Sequence, residues 1–221
     1  MAKLHGIPYE ITDQIYSTLC EFGCARWKAL MKYAESLVIG SDAFSEDYKK
    51  EHSAQLGEKA LHILMSEDRI LIGKYADEKV ALPVGREDAS FESLNAFEAY
   101  AAITMEIAEK GLFPEFCYAR KTSDYPFHYV FAASKQNTLY RVLVYGHDSF
   151  VRIGYFNDSF VSQRDGRFVT LLVVPENYSW EEFKDMLIKG RTRIAFLREV
   201  NEKKKKYECL LTDIIEDNDG N

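Results

Sequence analysis

Apolar side chains recur three or four residues apart through the first third of the chain, which is the spacing of one face of an α-helix. Helices are predicted over residues 11–23, over residues 25–36 and over about 14 residues that begin at Ser53. Their apolar positions are Ile11, Ile15, Leu19 and Phe22, then Trp27, Leu30, Met31 and Ala34, then Leu56, Ala60, Ile63 and Leu64. Gly23 is a C-terminal stop, so the first two helices would form a tight corner.

Two short strand-like runs, 69–74 and 79–84, follow the helices and are separated by residues 75–78. Pro83 lacks an amide N–H, which restricts the second run to a sheet edge. Three helices followed by a hairpin are the layout of a winged helix-turn-helix, whose third helix enters the major groove of DNA. The polar linker 40–51 is longer than the usual turn of about three or four residues.

A long helix and an α/β segment are predicted beyond the hairpin. Ser90 can cap the helix and Gly111 can end it, and its apolar face would join the two halves of the chain or contact a partner in a dimer. Ser179 to Glu182 form a capping box, which predicts the start of a further helix. The pattern of residues 149–160 fits either a helix or a strand. The predicted strands are 127–132, 139–145, 167–174, 193–197 and 207–211.

The pattern predicts an α+β protein in which an N-terminal winged helix-turn-helix is joined by a long helix to a small α/β sheet domain. The predicted boundaries are 1–88 for the winged helix-turn-helix, 89–112 for the connecting helix, 113–215 for the α/β domain and 216–221 for an acidic tail.

Composition agrees with a folded globular chain, because 47% of the 221 residues are hydrophobic and 14% are aromatic. The net charge of −7 argues against non-specific nucleic-acid binding. The excess acid lies wholly in residues 1–110, which hold 12 Lys/Arg and 19 Asp/Glu, whereas 111–221 holds 16 of each. No apolar run approaches the roughly 20 residues of a membrane span, so we expect a cytoplasmic protein with reduced thiols and no membrane partner.

No motif for catalysis, cofactors or metal is present in the sequence. P-loop, dinucleotide-binding and hydrolase signatures are absent, and the four cysteines lack zinc-ligand spacing. A nuclease core would need an Asp and a Glu-x-Lys on neighbouring strands, and the runs 127–132 and 139–145 do not supply them. We therefore expect a protein that is not an enzyme and needs no cofactor or metal.

A winged helix-turn-helix would contact DNA through its third helix, its wing and the second helix. The candidate residues are Arg26, Lys28, Lys32, Lys49, Lys50, His52, Gln55, Lys59, Lys74 and Lys79. Contact with double-stranded DNA would be favoured if the third helix is exposed and if Lys49, Lys50, Lys59 and Lys74 lie on one face. The alternative is that these are ordinary solvated side chains on a protein-binding domain, since many acidic residues lie among them.

The combination of residues 11–84 with 127–212 resembles the replication-relaxation family of plasmids and integrative elements. The matching features are the helix–hairpin order and the run 167–174 followed by 179–189. Members pair a winged helix with an endonuclease-like domain that often lacks nuclease residues. The resemblance implies a non-enzymatic protein that binds DNA in replication or mobilisation of a mobile element. The alternative is a protein-binding adaptor of a mobile element or phage, with a degenerate winged helix and no DNA contact; a homodimer stays open in either case.

Overall fold

The computed structural model describes residues 3, 4, 6–86 and 88–111, and five strand segments further along the chain. The helices are α1 (Tyr9–Phe22), α2 (Trp27–Gly40), α3 (Glu46–Ser66) and α4 (Phe91–Glu109). The strands of the first half are β1 (Lys3–Leu4), β2 (Ile7–Pro8), β3 (Ala25–Arg26), β4 (Ile70–Tyr75) and β5 (Glu78–Pro83). The strands of the second half are β6 (Tyr129–Ala133), β7 (Thr138–Val144), β8 (Phe168–Pro175), β9 (Thr192–Asn201) and β10 (Lys206–Asp213). The predicted mixture of helices and strands is confirmed.

The corner between α1 and α2 forms as predicted at Gly23. Its φ of 83° is in the left-handed region, where glycine carries no steric penalty, and its N–H donates to the Leu19 carbonyl at 2.8 Å. The chain then leaves α1 through β3 and enters α2 without a longer loop. This turn places Arg26 at the end of β3 and directly before α2.

The third helix begins earlier than predicted, at Glu46 rather than at Ser53. Glu46 and Asp47 lie in its first turn, where negative charge is stabilised by the positive end of the helix dipole. Ser53 lies inside the helix, and its hydroxyl donates to Glu35 Oε1 at 3.0 Å instead of capping a helix end. The connection from α2 therefore shrinks from the predicted linker to residues 41–45.

The hairpin β4–β5 gains β3 as a third strand, in the antiparallel order β3-β5-β4. β5 is thus the middle strand, and the prediction that Pro83 confines it to an edge was wrong. β3 reaches only Val80 and Ala81, so Pro83 is paired on the β4 side alone, with Ile70. Its missing N–H therefore breaks no bond to β3.

Helix α4 lies at the centre of the described part of the chain. Ser90 caps it as predicted, because its Oγ accepts a hydrogen bond from the Ser93 N–H at 3.1 Å. All side chains from Ser93 to Thr104 are buried, since the helix packs against α2 on one side and against strands from the β6–β10 segment on another. A helix enclosed in this way belongs to the core.

An aromatic cluster fills the space between α1, α2 and α4. Phe22, Tyr33, Phe97 and Tyr100 form it, with ring centroids 5.1–5.9 Å apart and several edge-to-face contacts. The Tyr33 hydroxyl lies 2.9 Å from Thr18 Oγ1, which satisfies a buried polar group, and burial raises the pKa of Tyr33 to about 12.

Strands β6 to β10 form a five-stranded sheet in the order β10-β9-β8-β7-β6. Its central strand β8 is parallel to both neighbours, while the outer pairs β6–β7 and β9–β10 are antiparallel. Val173 on β8 is buried in the same core as Phe97 and Tyr100 of α4. The five predicted strands are confirmed, whereas the predictions for 149–160, 179–189 and 216–221 lie outside the described residues.

Candidate functional site

Three of the candidate DNA-binding residues share one exposed line on α3. Positions 48, 52, 55 and 59 repeat at intervals of four, three and four, so they follow one face of the helix. We call Tyr48, His52, Gln55 and Lys59 the α3 stripe. Tyr48 is 46% exposed, Gln55 and Lys59 are exposed, and His52 is half-buried. The stripe contains hydrogen-bonding groups and a cation but no carboxylate.

Tyr48 is the member of the stripe that was not among the candidate residues. Its ring stacks on Phe44 with centroids 6.1 Å apart and contacts the His52 ring at 4.5 Å. The three rings are four residues apart in sequence, which is the signal that could have placed them together. These contacts restrict the rotamers of Tyr48 and His52 and fix their direction from the helix.

The lysines of α3 do not share a face. Lys49 is buried, and its ammonium donates to Glu46 Oε1 at 2.8 Å, which lowers the pKa of Glu46. Lys50 is exposed, but it lies nine positions from Lys59, or about half a turn away around the helix at roughly 100° per residue. Only Lys59 adds positive charge to the α3 stripe.

A second set of exposed cations lies on α2 and on the hairpin. Lys74 and Lys79 are directly opposite each other in the β4–β5 register. The Lys79 ammonium also lies 4.0 Å from the centre of the Trp27 ring, a cation–π contact at the start of α2. Lys28 and Lys32 are exposed in the first and second turns of that helix.

Arg26 is buried rather than exposed for binding, with 5% of its surface accessible. Its Nε donates to Glu78 Oε2 at 2.9 Å, its Nη2 donates to Asn95 Oδ1 at 2.8 Å, and its Nη1 lies 3.7 Å from Glu98 Oε2. The guanidinium therefore ties β3 to β5 and to α4. We call Arg26, Glu78, Asn95 and Glu98 the Arg26 cluster.

Glu98 has the most perturbed carboxyl group of this cluster. Burial raises its pKa to about 7, and the negative charge of Glu78 adds to the effect, while the positive charges of Arg26 and Lys32 oppose it. Its Oε2 accepts no hydrogen bond within the described part of the chain. The group therefore exchanges a proton near neutral pH inside the protein.

Other chemistry is sparse in the described residues. Cys20 and Cys24 are free thiols; Cys24 is buried, which raises its pKa and makes it a poor nucleophile. No group of His, Cys, Asp or Glu in the described part of the chain is arranged to hold a metal ion. Within the same residues, no helix combines the length and apolar character that a bilayer span requires.

Neither a protein family model nor a curated protein matches the sequence.

Proposed function

We propose that residues 9–83 form a winged helix-turn-helix that binds double-stranded DNA, with α3 as the recognition helix and the β4–β5 hairpin as the wing. The order of elements carries the proposal: helix, short strand, helix, helix and hairpin, with the short strand β3 paired to the hairpin. The short connection 41–45 between α2 and α3 agrees with it better than the predicted long linker did.

The α3 stripe supplies side chains suited to base edges. The Gln55 amide can donate and accept at the same time, which matches adenine in the major groove. Lys59 can donate to guanine or to a phosphate, and the hydroxyl of Tyr48 and the ring nitrogens of His52 add further hydrogen-bonding groups. The four stripe residues carry no carboxylate themselves, but the exposed Glu51 places its carboxylate 3.7 Å from His52 Nε2, so the positive charge of Lys59 has to offset it when the stripe approaches DNA.

Besides Lys59, the exposed cations outside α3 supply phosphate contacts, namely Lys28, Lys32 and Lys79. Arg26 and Lys49 do not contribute, because each is buried and already paired with a glutamate. Few phosphates are neutralised in this arrangement, so the affinity is modest and depends weakly on salt.

The proposed role of the α/β half of the chain is based on the resemblance to the replication-relaxation family. We infer that the five-stranded sheet corresponds to an endonuclease-like core without nuclease residues and that the protein acts without catalysis. The protein would bind DNA during the replication or mobilisation of a mobile element.

Fluorescence anisotropy with random-sequence duplex DNA, titrated with salt, tests the proposal. The parent chain binds at low salt, and Lys59→Ala lowers the salt slope by about 1 because one phosphate contact is lost. Lys110→Ala removes an equal charge from an exposed position at the end of α4 and leaves the slope unchanged. Gln55→Ala weakens the binding free energy by about 1–3 kcal/mol on a DNA sequence selected for tight binding, and changes it little on random DNA.

Failure to bind duplex DNA even at low salt would remove this proposal. The protein-binding adaptor would then be the better hypothesis. Equal effects of Lys59→Ala and Lys110→Ala would instead show non-specific binding through lysines scattered over the surface, without a recognition helix.

A further inference from the structure

The outer edge of β4 carries exposed apolar side chains. β4 is the last strand of the order β3-β5-β4, and its pairing with β5 runs from Ile70 to Tyr75 without a bulge. Leu71 and Ile72 keep 48% and 38% of their surface exposed. Native proteins usually cover or charge such an edge, because a flat apolar strand pairs readily with another chain.

The hydrogen-bonding groups at this edge can be assigned from the hairpin. The Val84 N–H donates to the Arg69 carbonyl at 3.0 Å, so the backbone groups of Arg69 face β5. Because these groups alternate in direction along a strand, those of Leu71, Gly73 and Tyr75 also face β5. The N–H and C=O groups of Ile70, Ile72 and Lys74 therefore point away from the sheet.

Opposite charges lie at the two ends of the strand. Asp68 precedes β4 and Lys74 lies near its end, and both are exposed. Neither side chain makes an ion pair with another residue in the described part of the chain. An antiparallel copy of the same strand would bring each carboxylate close to an ammonium group of the other copy.

We propose that two copies of this chain associate through β4, antiparallel, with the twofold axis at Leu71. Ile70 then lies opposite Ile72 of the second copy and exchanges backbone hydrogen bonds with it. By symmetry, Ile72 of the first copy pairs in the same way with Ile70 of the second. Leu71 packs against its own counterpart, and Asp68, in the turn that precedes β4, comes close to Lys74 of the other copy at both ends. Both three-stranded sheets become one continuous sheet across the dimer.

The charges and the backbone groups select this register. A shift by one residue would place Ile70, Ile72 and Lys74 of one copy opposite residues of the other copy whose N–H and C=O groups face β5. No hydrogen-bonded ladder would then form between the copies. A twofold axis at Ile72 would set Lys74 opposite the buried Ile70 and leave Asp68 without its cation. Only the axis at Leu71 both forms hydrogen bonds and pairs the charges.

The dimer does not depend on DNA binding, so the two proposals can fail separately. It assigns Lys74 to the contact between copies and uses no residue of the α3 stripe. An isologous contact of this kind closes with two copies and does not propagate into a filament.

Sedimentation equilibrium of the full chain measures the association. A mass about twice 25.5 kDa is expected, and Leu71→Lys weakens dimerisation at least tenfold because it puts two cations on the axis. Tyr9→Lys changes another exposed large side chain, on α1, and leaves the dimer intact. A monomer at every concentration, or a dimer that Leu71→Lys leaves unchanged, would overturn the proposal.

Cysteine substitutions test the register. Residues opposite each other on the axis at a non-hydrogen-bonded position have Cβ atoms about 4.5 Å apart, close enough for a disulfide. Under mild oxidation Leu71→Cys gives a covalent dimer on a denaturing gel, whereas Lys74→Cys and the parent chain with its native cysteines do not. Cross-linking of Lys74→Cys in preference to Leu71→Cys would overturn the register.

Discussion

The guanidinium of Arg26 lies between two glutamates and an amide in a space with little access for water. Glu78 receives the Nε hydrogen bond at 2.9 Å, whereas Glu98 lies 3.7 Å from Nη1. Burial disfavours the charged form of a carboxyl group, and one cation cannot neutralise two carboxylates fully, so the less well paired carboxylate holds its proton to higher pH. Glu98 is that carboxylate.

Glu98→Gln should flatten the pH dependence of stability. The pKa of Glu98 is about 7 in the folded chain against an ordinary value of 4.5, so the folded chain binds more protons between these values. Stability contributed by Glu98 is therefore complete below about pH 4.5 and is lost as the pH rises through 7. The loss is on the order of 3 kcal/mol. Urea denaturation at a series of pH values measures the free energy of unfolding.

Glu109→Gln is the matched control for this measurement, because Glu109 is an exposed glutamate at the end of the same helix. It should leave the slope of stability against pH as in the parent chain. Identical slopes for Glu98→Gln and the parent would show that Glu98 does not hold a proton at neutral pH.

The packing of α2 against α3 depends on the absence of a side chain at Gly57. A Cβ atom there would lie 2.8 Å from the Glu35 backbone nitrogen and 3.1 Å from the Ala34 carbonyl carbon. Backbone atoms inside a helix cannot move aside singly, so the helices would have to separate. This contact places α3, and with it the α3 stripe, at a fixed distance from α2.

Gly57→Ala should destabilise the protein by about 1–3 kcal/mol, because overpacking exceeds the gain in helix propensity of about 1 kcal/mol. Thermal unfolding followed by circular dichroism measures the loss as a lower Tm. Ala54→Gly, at an exposed position on the same helix, should lose about 1 kcal/mol from propensity alone. A more stable Gly57→Ala variant would show that α2 and α3 are not in close contact.

The sequence predicted the helices α1, α2 and α4 within a few residues because each has a clear apolar spacing. The start of α3 was wrong because Ser53 resembles a helix cap, whereas its hydroxyl binds Glu35 of another helix. The position of β5 was wrong because the two residues of β3 are too few to give a strand signal.

The candidate site was predictable only where local spacing decides it. His52, Gln55 and Lys59 lie together because of the helical period. The burial of Arg26 depends on Glu78 and Glu98, which lie far from it in sequence, so no local pattern indicated it. Lys49 differs from Lys50 only in which side of α3 it occupies, and the wrong helix start obscured that difference.

The molecule as a whole is organised around α4. This helix contacts α2 and β3 of the first half and strands of the five-stranded sheet in the second. Phe97 and Tyr100 contribute to the aromatic cluster with Phe22 and Tyr33, so the first half does not complete its own core before α4. The helix thus serves as a shared core element of both halves.

A fragment of residues 1–88 should therefore fail to fold cooperatively, although it contains the whole proposed winged helix-turn-helix. Without α4 the aromatic face of α1 and α2 is exposed to water, and Arg26 loses Asn95 and Glu98. A fragment of residues 1–111 restores these contacts and should regain a cooperative thermal transition by circular dichroism, with the full chain as the reference. Cooperative unfolding of 1–88 would show that the first half forms a complete core without α4 and would support a domain boundary before this helix.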